Sequence, residues 1–270
     1  MPSAPNSGPA GASSTLPGFD PRAALIESRP SEPALPGQAL LFSNLEYLFA
    51  RMRAERDFPR WSPELLRDRR RPSQPLTAET LTQASVLIAL VGHSDPTIVF
   101  TRRTDDLSSH AGQVSFPGGR AEPEDVSAEA TALREAHEEI GLHPAQVRVL
   151  GRLPQYVTVT GFCVTPVIGH LDSVPQFRRD RREVAEIFQV PLSFLFNPSN
   201  HEVRIVPAQH SPTGELIRFY AMPYRTRQTS RNVDDVAADE LREFFIWGAT
   251  AAMLRNFYHL LSAAWWQRAT

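Results

Sequence analysis

The stretch Arg134-Glu-Ala-His-Glu-Glu-Ile-Gly-Leu142 narrows what this chain can fold into more than any other. At about 100° of turn per residue, Glu135, Glu138 and Glu139 fall at i, i+3 and i+4 and leave a helix on one face. Leu133, Ala136 and Ile140 take the opposite face and need an apolar partner to cover them. Gly141 is the residue type that ends such a helix in a left-handed turn. The periodicity predicts a helix over Ala128–Ile140, packed on a sheet with its acidic face toward a cleft. Like-charged carboxylates at helical neighbours repel, so three on one face ask for a compensating cation, and oxygen ligands select magnesium or manganese. An ordinary solvated acidic face is the other reading. Gly118-Gly119 upstream, a polar loop through Asp125, Arg134 directly before Glu135 and Gly141 at the end together outweigh it.

Two apolar runs, Ala84–Val91 and Thr97–Thr101, bracket the turn-rich Gly92–Pro96 and predict a β-hairpin. Val147–Leu153, Phe162–Leu171, Val203–Pro207 and Ile217–Pro223 read as further strands, and Asp239–Leu261 as a second long helix. This mixture implies an α/β chain of the α+β type, built as a sandwich of layers. Residues 1–38, dense in Pro, Ser, Gly and Ala, hold too few large apolar side chains to offset ordering entropy and are expected to form a disordered tail. Residues 39–75 read as a helical extension on the domain's edge, from Leu40–Met52 and from Pro63–Arg70 with Ser62 as N-cap. The main domain is expected over 76–265.

Composition works by exclusion. With 41% hydrophobic and 21% charged residues, the chain is neither disordered throughout nor membrane-embedded. A net charge of -2 gives no basic field for polymeric nucleic acid. There is no long uncharged apolar run and no basic-then-apolar N-terminal signal, so a cytoplasmic protein without a membrane partner is expected. Cys163, the single cysteine, reads as a buried thiol, and Cys or His residues at the regular spacing of a structural zinc site are not found. Arg67, Arg69, Arg70 and Arg71 read as solvated surface, His110 and His137 as solvated or hydrogen-bonded histidines, and Trp247 beside Phe244, Phe245 and Ile246 as core.

The residues around the acidic helix resemble the signature of the Nudix hydrolases, G-x5-E-x7-R-E-U-x-E-E-x-G-U with U aliphatic. Gly119, Arg134, Glu135, Glu138, Glu139, Gly141 and Leu142 match; Asp125 stands at the first acidic position, with eight residues instead of seven before Arg134, and Ala136 is a small aliphatic residue. The extra residue is similar to the coenzyme A diphosphatase branch. So is the pattern Thr101-Arg102-Arg103, then Gly112, then Phe116-Pro117-Gly118-Gly119, although Ser108 stands where that branch usually has Arg. Thr160-Gly161-Phe162, Glu183-Val184 leading to Val190-Pro191-Leu192, and Ile246–Ala251 extend the likeness over residues 80 to 260.

The resemblance implies a Nudix-like α/β/α sandwich around a mixed β-sheet, and hydrolysis of coenzyme A or an acyl-CoA to 3',5'-ADP and 4'-phosphopantetheine or its acyl form. It implies Glu135, Glu139 and Glu138 as ligands of Mg2+ or Mn2+, the Gly119 carbonyl as a backbone ligand, and Arg134 as the residue orienting the carboxylates. Gly118, Gly119, Arg120, Arg102 and Arg103 are the expected substrate contacts; strand alternation turns one of the two last arginines to the cleft, and Arg103 is favoured. The general base is either a glutamate of the signature or a later acidic residue, Glu183 or Glu186. The expected partner is a small molecule, and a homodimer is one assembly the likeness allows. Two other readings stay open. One is a Nudix hydrolase of another nucleoside diphosphate derivative, such as NADH, ADP-ribose or a dinucleotide. The other is a binding module without catalysis, against which the retained glutamates speak.

Overall fold

The structure, a computed structural model, describes residues 19–55, 58–60, 81–104, 112–158, 160–206, 216–227 and 241–268. Within them the chain forms β1 (Leu25–Ser28), α1 (Gly37–Leu40), α2 (Phe42–Ala54), β2 (Thr82–Val91), β3 (Thr97–Arg103), β4 (Val114–Ser115), β5 (Gly118–Arg120), α3 (Ala128–Ile140) and β6 (Arg148–Arg152). There follow β7 (Tyr156–Val157), β8 (Phe162–Leu171), β9 (Val184–Pro191), α4 (Leu192–Leu195), β10 (Glu202–Val206), β11 (Ile217–Thr226), β12 (Arg242–Trp247) and α5 (Gly248–Trp266).

Alternation along β2 explains the layers. Side chains of a strand point alternately to its two faces. Leu87, Ala89 and Val91 join Ala132, Ala136 and Ile140 of α3 in one buried cluster. Ile88 and Leu90 join Leu45, Leu48 and Phe49 of α2 and Leu254, Phe257 and Leu261 of α5 in another. Each fully buried Leu, Ile or Phe contributes about 1.5–3 kcal/mol, so both faces of the sheet are strongly held. The sheet is mixed, as expected: β2 runs parallel to β8 from Thr82↔Phe162 to Val91↔Leu171 and antiparallel to β3 and β5. A second, antiparallel sheet in the order β1-β10-β11-β12 packs on α5 through Tyr220, Met222, Phe244 and Ile246.

Three expectations need correction. The tail was expected to be disordered through residue 38, but from residue 19 it is structured; residues 1–18 lie outside the described residues. Leu25 and Ile26 are exposed, so β1 is held by pairing with β10 and not by burial. Arg204 adds hydrogen bonds to the carbonyls of Pro21, Arg22 and Ala24, and Glu32 meets Arg255 Nη2 at 2.6 Å. A count of apolar side chains sees none of this. The second correction concerns Asp239–Leu261: Arg242–Trp247 is a strand, paired from Thr226↔Arg242 to Ala221↔Trp247, and the helix begins only at Gly248. An aromatic-rich run offered a sheet partner takes the extended form whatever its helical periodicity. Third, α2 does not ride on the domain's edge, since Phe42, Leu45, Leu48 and Phe49 are core residues.

The segment Pro63–Arg70, the arginines at 67 and 69–71, Ser108 and His110 all lie outside the described residues. Cys163 is buried, and Trp247 packs edge-on to Phe219 beside the second sheet's cluster. No described helix is long and apolar enough to cross a membrane.

The anchoring of the N-terminal segment has a measurable consequence. Arg255 is 1% exposed, so Glu32→Ala leaves a guanidinium buried without that carboxylate. The expected cost is about 1–3 kcal/mol, read as a lower thermal unfolding midpoint.

Candidate active site

α3 is capped at Ser127, whose Oγ accepts the Ala130 amide at 3.2 Å, and ends at Gly141 with φ 69°, the stop its sequence predicts. Its buried side rests on β2, which fixes where its acidic residues emerge. They emerge beside β5. This short strand pairs with β2, Gly118 opposite Val86 and Gly119 opposite Ser85. Its first glycine lets it lie close on β2 and its second lets α3 approach. A Cβ on Gly118 would come 2.6 Å from Val86 Cα, and one on Gly119 would lie 2.5–2.6 Å from the Glu135 carboxylate.

The three glutamates share a face but not an environment. Glu139 is buried, its side chain 7% exposed, with Oε2 accepting the Gly118 amide at 3.3 Å and Oε1 3.9 Å from Arg103 Nη1. Burial pushes its pKa up to about 8; the Gly118 amide and Arg103 oppose the rise, while Glu135 and Glu183 add to it. Glu135 is half-buried and also raised, chiefly by burial, against the pull of Arg134. Glu138 is mostly exposed.

Arg134 ties the group together. Its Nε and Nη2 grip Asp125 at 3.1 and 2.9 Å, Nη1 reaches Glu135 and Glu138 at 3.1 Å each, and Nη2 also donates to the Arg120 carbonyl at 2.9 Å. The grip of Arg134 holds the Asp125 carboxyl far below the usual carboxylate range. Asp125 thus serves Arg134 and not the cleft.

Comparison with known proteins follows the same lines. The NUDIX domain model matches residues 81–210. A protein of Pectobacterium atrosepticum named Uncharacterized Nudix hydrolase NudL is 39% identical over 174 residues, covering 64% of this chain and 80% of its own. The chain belongs to the Nudix family. A Yersinia pestis (strain Pestoides F) protein of the same name is 35% identical over 187 residues, 68% of this chain and 81% of that one. Among solved structures, the Nudix hydrolase RenU of M. Smegmatis is similar over 41% of this chain and 70% of that chain, at 22% identity and a TM-score of 0.36.

The chain is therefore a Nudix hydrolase, a class that acts on nucleoside diphosphate derivatives and generally uses divalent metal ions. The donor set fits such an ion. Glu135 and Glu139 are held close in a site that raises both their pKa values, which is the condition a hard cation relieves.

Of the other expected contacts, Arg103 faces the carboxylates, while Arg102 faces away and lies 3.6 Å from Glu186. The Arg120 guanidinium stacks on Phe162 at 5.3 Å. His137 is exposed, as read. Two participants went unread in the sequence, the Gly118 amide and Asp125's role as the anchor of Arg134; the pairing of β5 that aims the amide has no local signal. Gly119→Ala tests the close approach. Its methyl must displace the Glu135 carboxylate, and kcat is expected to fall about 10- to 100-fold with little change in the unfolding midpoint.

Proposed function

We propose that this Nudix hydrolase cleaves the diphosphate of coenzyme A or an acyl-CoA, giving 3',5'-ADP and 4'-phosphopantetheine or its acyl form, with magnesium or manganese. The observation that carries the reading is Glu139: nearly buried, raised to about 8, and set between the Gly118 amide, Glu135 and Arg103. Arg103 supports it further, because its guanidinium lies 3.9 Å from Glu139 on a side chain still 27% exposed, within reach of a phosphate oxygen bound at the glutamates. The likeness of Thr101–Gly119 to the coenzyme A diphosphatase pattern supplies the substrate.

Glu135, Glu139 and Glu138 would hold the ion together with the Gly119 carbonyl; when bound, it supplies charge neutralisation of the diphosphate oxygens and a lowered pKa for water. Arg103 orients the substrate phosphate, and Arg134 holds Glu135 and Glu138 in place. A water oxygen bonds to one phosphorus, the bridging P–O bond breaks, and the other phosphate leaves with its electron pair. Glu183 takes the proton. It is exposed, and its charge acts on both Glu135 and Glu139, whereas Glu186 is occupied by Arg242 at 2.8 Å and by Arg102. Glu183→Gln is accordingly expected to lower kcat about 100-fold with KM little changed, measured by steady-state kinetics.

The proposal is tested by offering coenzyme A, acetyl-CoA, NADH and ADP-ribose to the purified protein with Mg2+ or Mn2+ and separating the products by chromatography. Release of 3',5'-ADP from the CoA compounds supports it. Cleavage confined to NADH or ADP-ribose keeps the hydrolase and overturns the substrate; turnover of none overturns the activity.

A further inference from the structure

At the far end of the main sheet, three residues distant in sequence converge. His93 lies in the turn between β2 and β3, His170 near the end of β8 and Asp172 just beyond it, and one ligand atom from each lies within 4.8 Å of the others. His170 is 1% exposed. Its Nε2 is 3.1 Å from the Gly92 carbonyl oxygen. A carbonyl only accepts, so Nε2 carries the proton, and Nδ1 of the neutral ring presents a lone pair. That Nδ1 is buried and has no hydrogen-bond partner. An orphaned buried atom of this kind costs about 1–3 kcal/mol and asks for an explanation.

Its surroundings provide one. His170 Nδ1 is 3.6 Å from Asp172 Oδ1, and His93 Nε2 is 3.8 Å from the same oxygen. A doubly protonated ring paired with Asp172 is the competing account. The 3.6 Å separation is longer than a charge-assisted bond, and burial disfavours the charged imidazole.

We propose that His93 Nε2, His170 Nδ1 and Asp172 Oδ1 form a second metal site that takes a zinc-like ion, with water in the fourth position. Two imidazoles and a carboxylate suit zinc, unlike the all-oxygen set on α3. A tetrahedral zinc ion places its ligand atoms about 3.3 Å apart. The small closure needed falls on His93 and Asp172, whose side chains are 60% and 84% exposed. His170 is already fixed. Its other N–H is held by a backbone carbonyl, as in ligating histidines generally, and its ring stacks on Phe42 with centroids 3.4 Å apart. The Phe42 amide donates to the His93 carbonyl at 2.8 Å, so the ion would tie the hairpin turn and the end of β8 to the start of α2. The site is separate from the glutamates: Gly118 pairs with Val86, which along β2 is about 20 Å from Gly92 at roughly 3.3 Å per residue.

Cobalt(II) is the probe. The full-length protein, stripped of metal and then saturated with Mg2+, is titrated with Co2+ while the visible spectrum is followed, and then with Zn2+ in competition. The expected result is the intense d–d absorption of a four-coordinate ion, displaced by one equivalent of Zn2+. Zn2+ should also raise the thermal midpoint. The double variant His93→Ala, Asp172→Asn changes exposed side chains only, so its fold is preserved and can be checked by circular dichroism. It should lose the bands and bind Zn2+ about 100-fold or more weakly, while Glu139→Gln keeps both. Bands that persist in the double variant, bands that vanish with Glu139→Gln, or Zn2+ binding equal in wild type and double variant would each overturn the site.

Discussion

Glu139→Gln is expected to lower kcat for diphosphate hydrolysis by about 1,000-fold or more and, in the absence of metal at pH 8, to raise the thermal unfolding midpoint. The two effects share one cause. Glu139 is buried beside Glu135 with its pKa near 8, against an ordinary 4.5. A group raised in the folded state stabilises the fold fully below its unfolded pKa and loses that contribution as pH rises through the folded value. The metal-free wild type should therefore become steadily less stable from about pH 4.5 to pH 8, by at most roughly 5 kcal/mol. Glutamine stays neutral, still accepts the Gly118 amide, and should flatten the slope. Divalent ions bind the ionised carboxylate, so their affinity for the wild type should climb over the same range. Unfolding midpoints between pH 4.5 and 9, with and without Mg2+, read all of this; a wild type whose metal-free stability does not fall with pH would contradict the placement of Glu139.

Arg134→Ala is expected to damage both fold and activity, with a loss of about 2–4 kcal/mol in unfolding free energy and about 100-fold or more in kcat. The arginine is the hub between Asp125, Glu135, Glu138 and the Arg120 carbonyl, and Asp125's side chain is only 7% exposed. Without it Asp125 keeps the Glu122 amide but loses its cation, and the glutamates repel without restraint. Arg134→Lys should rescue little, because a single ammonium cannot make the two parallel bonds to Asp125 and also reach the glutamates. A cycle with Asp125→Asn separates the contributions. The two residues form one unit, so the double variant should lose much less than the sum of the single losses. Strict additivity in denaturant unfolding would remove Asp125 from the account.

The pattern of what could be read has a physical basis. The bounds of α3 and β8 were legible because each signals locally: a capped amphipathic period in one, a long apolar run in the other. β1 was not, since what orders Leu25 and Ile26 is the edge of β10, some 180 positions away, together with Arg204. β12 was misread because its apolar run Phe244-Phe245-Ile246 leads straight into the helix, and only the partner β11 decides that Arg242–Trp247 is extended. At the site, helical spacing revealed that Glu135, Glu138 and Glu139 share a face. It could not rank them, because depth is set by how closely β5 and Arg103 approach, and those contacts come from the sheet. The choice between Glu183 and Glu186 likewise depends on Arg242, which reaches Glu186 from the second sheet. His170 gave no signal for the same reason: its partners are spread over 79 positions of the chain and meet only at the hairpin turn.

The most direct test of the central claim, water attack on a diphosphate governed by the glutamates of α3, is hydrolysis of coenzyme A in 18O-labelled water with Mg2+ or Mn2+, the products weighed by mass spectrometry. The account predicts 3',5'-ADP and 4'-phosphopantetheine carrying one labelled oxygen between them, and neither product with Glu139→Gln. Labelled inorganic phosphate released from the 3' position, or equal turnover by the Glu139→Gln variant, would contradict it.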